Sequence, residues 1–248
     1  MPLFEWYITF KDFVSRLFFK NKRFRIIFGP AKGLIWINSL RPNINFNLGL
    51  WEHKKQFAMK RLVSKGMTAY DLGAYHGYFT LVLSRLVGET GSVYTFEPAK
   101  ENFLYLSDIV KLNQLGNVTL NMKALGEMNG KVNCAFDSVN PMGGCIVDKP
   151  TNNQVEIVSL DSYIIEQRNK KPDIVKMDIE GFEYDALKGM EKAIKLYHPI
   201  FFIDVHNAEN HARCIDFLKK NGYDVEVLHQ KHFPKGGFLS DILAIYNF

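Results

Sequence analysis

The sequence predicts an α/β protein with a doubly wound, mainly parallel sheet of seven strands. From Gly49 onward, apolar runs of strand length alternate with helical stretches of ten or more residues, a pattern typical of strands covered by helices on both faces. The final two strand candidates are joined by a short segment containing "FPKGG", which is too short for a crossover helix. We therefore expect the last strand to be antiparallel.

The elements follow in a regular order. The seven strand candidates are Met67–Leu72, Val93–Phe96, Val118–Met122, Ile174–Met177, Ile200–Val205, Tyr223–Leu228 and Leu239–Tyr246. The helical stretches between them are Tyr78–Val87, Lys100–Leu115, Tyr184–Leu196 and Ala208–Asn221. The alternation lapses between Met128 and Val158, where two strand-like runs, Val132–Phe136 and Val155–Val158, flank a loop. We expect that loop, 137–153, to form a pocket wall together with the N-terminal residues 1–48, because loops of this length are usually functional or mobile.

Residues 1–48 differ in pattern and are predicted to form an N-terminal helical extension and cap on a domain spanning 49–248. Apolar residues between Leu3 and Phe18 recur at spacings of three and four, which indicates an amphipathic helix. A short strand-like run follows at Leu34–Ile37. The first helix either packs on its own domain or provides a peripheral membrane or homo-oligomer contact through residues 1–28.

Composition restricts the function classes. The chain has 31 Lys and Arg against 26 Asp and Glu, and residues 1–30 hold six of these bases and two of these acids. The near-neutral remainder argues against nucleic acid as a partner, because phosphate binding needs a clustered positive surface. The three cysteines form no C-x-x-C pair, and neither a leader peptide nor an 18-residue apolar stretch occurs. We therefore expect a cytoplasmic location, with association at a membrane surface left open.

The strongest local motif is "AYDLGAYHGYFT", in which a strand ending at Asp71 is followed by Gly73, Gly77 and a helix. Such a glycine turn lets a ligand approach the backbone and the helix N-terminus. Ala74 and His76 occupy positions where bulk disfavours a pyrophosphate. Glu97 ends the next strand, where a carboxylate can accept protons from both ribose hydroxyls, and Pro98 stops that strand. These features favour S-adenosylmethionine, with Asp71 facing its ammonium and Glu97 its ribose.

Six segments between Gly49 and Asp204 resemble the FkbM-type methyltransferases, which are class I S-adenosylmethionine enzymes. The matching segments are "GLWE", "DLGAYHGYFT", "FEP", "KALGE", "VSLDSY" and "KMDIEGFEYDALKGM". The resemblance implies a Rossmann-like fold and O-methylation, often of sugars or other small hydroxylated metabolites. It also implies which residues bind the cofactor: Glu52, Asp71, Gly73, Ala74, His76, Gly77, Thr80, Glu97, Pro98, Asn102, Asn113, Ala124, Leu125 and Asp178.

Catalytic candidates lie after two later strands. Asp178 follows "DIVKM" at the sheet edge where ligands of doubly wound folds bind, and it is the first candidate for acceptor contact and base. Glu180 follows it beside Gly181. Asp204 and His206 lie two residues apart, on one side of an extended chain, and His206 is a candidate base because its pKa is near neutral pH. Asp178, Asp204 and His206 could also hold one divalent metal ion. This is the less favoured alternative, and the site is predicted to contain no metal.

The predicted function is an O-methyltransferase that uses S-adenosylmethionine, releases S-adenosylhomocysteine and acts on a small molecule or glycan. Alternatives are a nucleic-acid (RNA) methyltransferase, an NAD-linked oxidoreductase and a catalytically inactive scaffold. Base N-methylation would favour Asn-Pro-Pro-aromatic where the chain has "DIEG". The identity of the acceptor is not predicted.

Overall fold

The computed structural model describes residues 22–38, 43–136, 144–147, 154–232 and 237–247. Its strands are β1 (Arg23–Arg25), β2 (Ile35–Ile37), β3 (Thr68–Leu72), β4 (Ser92–Phe96), β5 (Val118–Asn121), β6 (Ala124–Leu125), β7 (Gly130–Phe136), β8 (Gly144–Val147), β9 (Gln154–Val158), β10 (Ile174–Met177), β11 (Ile200–Val205), β12 (Tyr223–His232) and β13 (Phe238–Tyr246). Its α-helices are α1 (Ile44–Leu48), α2 (His53–Leu62), α3 (Tyr78–Val87), α4 (Lys100–Leu112), α5 (Glu183–Lys188), α6 (Glu191–Tyr197) and α7 (Ala208–Lys220), and Ser162–Glu166 form one turn of π-helix.

The central sheet has seven strands in the order β12-β13-β11-β10-β3-β4-β5. The pairs from β11 to β5 are parallel, whereas β13 is antiparallel to both β11 and β12. The predicted fold class is therefore confirmed. The strand order changes direction between β3 and β10, and ligands of doubly wound folds bind at the carboxyl edge of the sheet at such a point.

Two further sheets flank the central one. β1 pairs with β2, and β6-β9-β7-β8 form a four-stranded sheet in the region where the alternation of strands and helices lapses. The two strand-like runs predicted there correspond to β7 and β9, while β6 and β8 are short and were not predicted. Most of the loop 137–153, and with it that part of the expected pocket wall, lies outside the described residues.

The predicted helix Tyr184–Leu196 is two helices, α5 and α6. Gly189 ends α5, and a Cβ atom on Gly189 would lie 2.0 Å from the Gly126 carbonyl oxygen. A second helix then begins, because Asp161 accepts hydrogen bonds from the backbone N–H groups of Lys192 and Ala193. Helical periodicity continues across this break, so the sequence pattern alone did not reveal it.

Alternating residues of the strands pack into two hydrophobic cores, one on each face of the sheet. Tyr70 and Met177 belong to one core, and Ala69 and Phe202 belong to the other. Ile26 and Trp36, from the predicted N-terminal cap, are buried in the second core with α3. The cap described here therefore packs on the sheet, while the predicted amphipathic helix lies outside the described residues.

No helix in the described part of the chain is long and apolar enough to span a bilayer. The expected cytoplasmic location stays a prediction.

A row of buried charges interrupts the second core at the carboxyl edge. Asp71, Lys176 and Asp204 stand on the same face of three adjacent strands, and Lys176 is the register partner of Asp71. Lys55 of α2 reaches this row and donates to Asp204 Oδ2 at 2.6 Å. The centroid of the Phe79 ring lies 5.3 Å from Lys55 Nζ and 5.4 Å from Lys176 Nζ. Paired burial of this kind satisfies charges that would otherwise be costly to desolvate.

Replacing Lys55 by Met should lower the free energy of unfolding by about 3–5 kcal/mol, since removing one partner leaves a buried carboxylate without its counter-charge. Urea unfolding followed by circular dichroism measures this change. The matched control is Lys54→Met, which removes the exposed neighbouring charge and should stay within about 0.5 kcal/mol of the parent. Equal effects of the two substitutions would contradict the role of the buried pair.

Candidate active site

A cleft opens at the carboxyl edge of the sheet. Strand-end loops form one side, and the segment 36–52 forms the other with Trp36, Phe46 and Trp51. The ring centroids of Phe46 lie 5.0 Å from Trp36 and 4.5 Å from Trp51. The cleft therefore combines a polar floor with an aromatic wall.

Ten of the predicted residues line this cleft. They are Glu52, Gly73, Ala74, Glu97, Pro98, Asn102, Ala124, Leu125, Asp178 and Glu180. Their convergence from five separate stretches of the chain supports the choice of this crevice as the site.

The turn after β3 is fixed by close backbone packing. Gly73 has φ +76°, and a Cβ atom there would lie 1.8 Å from the Asp178 carbonyl oxygen. The Asp178 N–H donates to the Leu72 carbonyl at 2.9 Å. Only glycine fits here, because the left-handed conformation and the contact both exclude a side chain. The loops after β3 and β10 are thus held against each other.

Glu97 is fixed within the cleft by hydrogen bonds to both carboxylate oxygens. Tyr75 N donates to Oε2 at 2.9 Å, and Ala99 N donates to Oε1 at 3.0 Å, with Asn102 Nδ2 at 3.3 Å from Oε1. Burial raises the pKa of Glu97, and these donors oppose the rise. Oε1 thus accepts two hydrogen bonds already, whereas Oε2 accepts one and keeps a lone pair for a hydroxyl group of a ligand.

Several predicted cofactor residues support the cleft from behind. Asp71 is fully buried, where it accepts from Thr80 Oγ1 at 2.6 Å and lies 3.4 Å from Lys176 Nζ. His76 is buried and stacks between Tyr75 and Tyr105, and burial lowers its pKa to about 4, which leaves it neutral near pH 7. Asp71 therefore does not line the cleft, and the structure does not place it in the predicted contact with the ammonium group of a ligand.

Two other predicted cofactor residues also lie away from the lining. Gly77 packs against Leu106, where an added Cβ would lie 2.6 Å from a Leu106 methyl carbon. Asn113 pairs with the backbone of Ile35, accepting from its N–H and donating to its carbonyl at 2.8 Å. Asn113 thus joins α4 to β2 rather than contacting the cleft.

Asp178, Glu180 and His206 meet at the mouth of the cleft. His206 Nε2 lies 3.6 Å from Asp178 Oδ1 and 3.7 Å from Glu180 Oε2. On its other side, His206 Nδ1 lies 3.5 Å from Glu183 Oε1. Burial opposes the imidazolium, but hydrogen bonding to Glu183 and the charges of Asp178 and Glu180 raise the pKa of His206 to about 9. The predicted role of His206 as a base is thereby disfavoured, since it holds a proton near neutral pH.

Asp178, in contrast to His206, is able to accept a proton. Its side chain keeps a third of its surface exposed, yet desolvation raises the pKa of Asp178 to about 7, against the opposing charge of Lys176. Lys176 Nζ lies 3.8 Å from Asp178 Oδ2 and lines the cleft. A carboxylate with this pKa can accept a proton near neutral pH.

Asp204 lies apart from this cluster. Burial opposes its ionisation, but the adjacent Lys55 lowers the pKa of Asp204. The metal-ligand set of Asp178, Asp204 and His206 is therefore not assembled. Asp178, Glu180 and His206 instead present ligand atoms within 4.8 Å of one another, a donor set that a divalent cation can accept.

Lys176 and Lys55 were not identified from the sequence, and the N-terminal cap was predicted as part of the pocket wall without its individual aromatic residues. Lys176 is the single charged residue in "IVKM", two positions before Asp178, so period-two alternation places both on one side of the chain. That spacing was a usable signal. The aromatic residues of the segment 36–52 carry no such signal, because their approach to the cleft depends on tertiary packing.

The strand order, with its antiparallel final strand, is that of a Rossmann-like fold, and the cleft lies at the carboxyl edge of the sheet. Residues 71–225 match the family described as the methyltransferase FkbM domain, and the chain belongs to that family. No curated protein matches the chain.

Solved structures of methyltransferases share the fold. The FkbM methyltransferase of Methylobacillus flagellatus KT is 18% identical with a TM-score of 0.51, over 82% of this chain and 52% of its own. This chain thus spans about half the length of that protein. An rRNA methylase from Streptococcus thermophilus is 12% identical with a TM-score of 0.52, over 79% of this chain and 96% of its own. The precorrin-6y C5,15-methyltransferase of Geobacter metallireducens GS-15 is 15% identical with a TM-score of 0.51, over 79% and 88%.

The titration of His206 tests the geometry of the cluster. We expect its imidazole resonances, assigned by NMR, to titrate with a midpoint about 9. Asp178→Asn should lower that midpoint, because the positive charge loses a neighbouring carboxylate. Asp216→Asn, an exposed change on α7, is the control and should leave the midpoint of His206 unchanged. If Asp178→Asn left the midpoint of His206 unchanged, the predicted interaction between these two side chains would be disproved.

Proposed function

We propose that the protein transfers a methyl group from S-adenosylmethionine to a hydroxyl oxygen of a small molecule or glycan. The observation that carries this proposal is the carboxylate of Asp178, which faces the cleft with a pKa raised to about 7. A hydroxyl group of a sugar is weakly acidic, so its methylation benefits from a base with this property.

The cleft fits the cofactor by the chemistry of its lining. Glu97 offers the oriented acceptor oxygen Oε2 for a ribose hydroxyl, and Pro98, Ala124 and Leu125 offer apolar surface for a purine. Glu52 and Asp178 supply negative charge. When bound, S-adenosylmethionine supplies a methyl group on a positively charged sulfur, which is an activated leaving group.

The residues around Asp178 position and stabilise the proton transfer. With the cofactor bound, Asp178 would accept the proton of the acceptor hydroxyl, and the cofactor would supply the methyl group and keep the electron pair of the broken carbon–sulfur bond on its sulfur. His206 stays protonated beside it, and Glu183, held by Gly181 N at 2.9 Å and by Asn210, fixes the imidazole. Orientation of acceptor and methyl group supplies much of the rate, and a base adds roughly 10²- to 10⁴-fold.

The alternatives have weaker support. Family membership favours methyl transfer over hydride transfer by an NAD-linked enzyme. The segment after β10, "DIEG", offers carboxylates where base N-methylation would favour an Asn-Pro-Pro-aromatic motif. Carboxylates suit deprotonation of a hydroxyl, which supports the O-methyl assignment.

Glu97→Gln should weaken binding of S-adenosylhomocysteine by roughly tenfold to a hundredfold, as expected for the loss of charge-assisted hydrogen bonds. Isothermal titration calorimetry measures this affinity, with NAD as a ligand that should not bind. Glu101→Gln, an exposed change in the first turn of α4, is the matched control and should bind like the parent. Retained affinity in Glu97→Gln would remove the ribose role.

Methyl transfer should depend on the ionised form of Asp178 and the protonated form of His206. With a panel of methyl pyranosides, phenols and hydroxy acids as acceptors, kcat/KM should rise as the pH increases through about 7 and fall above about 9. Asp178→Asn should lower kcat by roughly 10²- to 10⁴-fold at saturating cofactor. Asp216→Asn, exposed on α7, is the control. An Asp178→Asn enzyme with the parental rate would disprove a base at this position.

A further inference from the structure

The segment 22–66 holds the entire positive excess of the chain. It contains ten Lys and Arg and a single acid, Glu52, whereas the rest of the chain has 21 bases and 25 acids. Lys55 is buried in ion pairs. Eight bases of the segment are exposed: Lys22, Arg23, Arg25, Lys32, Lys54, Lys60, Arg61 and Lys65.

The same segment also exposes apolar side chains. Of eleven large hydrophobic residues exposed in the described ranges, five lie here: Ile27, Phe28, Ile44, Leu50 and Phe57. Phe57 is 64% exposed and Ile44 is 60% exposed. Backbone hydrogen bonds from Ile27 N to Asn47 O and from Phe28 N to Leu48 O, both 3.1 Å, join the separate stretches. These residues therefore belong to one folded unit.

Helix α2 shows how this unit presents its charges. Lys54, Phe57 and Arg61 follow one another at helical spacing on the exposed side, with Lys60 beside them, whereas Gln56 and Met59 are buried. The helix contains no acidic residue. An aromatic ring surrounded by bases on a helix face is the pattern of surfaces that insert into the interface of a bilayer.

We propose that the basic–apolar surface formed by residues 22–32 and 44–65 binds peripherally to a bilayer containing anionic phospholipids. The bases are attracted to the negative headgroups, and the exposed side chains enter the boundary between headgroups and acyl chains. The aliphatic residues Ile27, Ile44 and Leu50 favour lipid over nucleic acid, since single-stranded nucleic acids bind through aromatic stacking and phosphate contacts. This partner is independent of the methyl acceptor.

Vesicle co-sedimentation of the full chain tests this surface. Binding at low salt to vesicles of equal parts phosphatidylglycerol and phosphatidylcholine should exceed binding to pure phosphatidylcholine by at least about tenfold. The triple variant Lys54→Glu, Lys60→Glu, Arg61→Glu should reduce the partition coefficient by at least about 100-fold. Phe57→Ser should reduce it by roughly fivefold to twentyfold, through loss of apolar insertion. Thermal unfolding confirms that each variant is folded.

Matched controls carry the same changes elsewhere on the surface. They are the triple variant Lys111→Glu, Lys219→Glu, Lys220→Glu, at exposed bases of α4 and α7, and Met128→Ser at an exposed apolar residue; both should bind like the parent. Parental binding by both surface variants would overturn the proposal. This is also the result expected if residues 1–21 alone bound the vesicles. Equal binding to neutral vesicles, or binding to poly(U) with none to anionic vesicles, would also overturn it.

Discussion

The burial of two ammonium groups is the constraint on which the site depends. The side chains of Lys176 and Lys55 are buried, and both ammonium groups lie over the Phe79 ring. A charge in such a place is stable only with its counter-charges close by, so Asp71 and Asp204 must be held on one face of β3 and β11, the two strands that pair with β10. The same requirement fixes the segment that carries Lys55 onto the sheet.

This charge network also determines the acid–base properties of the cleft. Asp178 is desolvated, yet it lies near the cations of Lys176 and His206, and the balance raises its pKa only to about 7. The surrounding acids stabilise the protonated form of His206 and so raise its pKa, and one of them, Glu183, is fully buried. The pKa values of both groups are thus raised above their usual range, to about 7 for Asp178 and about 9 for His206. Environment, rather than residue type, assigns the roles of base and cation.

Much of the fold and part of the site could be predicted from the sequence. Period-two alternation and the glycine turn located the central strands, and the acids at their ends, such as Glu97 and Asp178, were predicted because parallel strands bring their carboxyl ends together. The division of α5 from α6 depends on contacts with Gly126, which are remote in sequence. The partners of Asp204 and the protonation of His206 likewise depend on side chains that only tertiary packing brings near.

The two sides of the cleft come from different parts of the chain. The floor belongs to the turns after β3, β4 and β10, which are locked together by the contact of Gly73 with Asp178. The aromatic side belongs to a segment that precedes the first strand of the central sheet. Selection can therefore reshape the aromatic side, and with it the range of molecules admitted, without moving the groups that perform chemistry. Such a division lets one scaffold diversify by exchanging a single stretch at its N-terminal end.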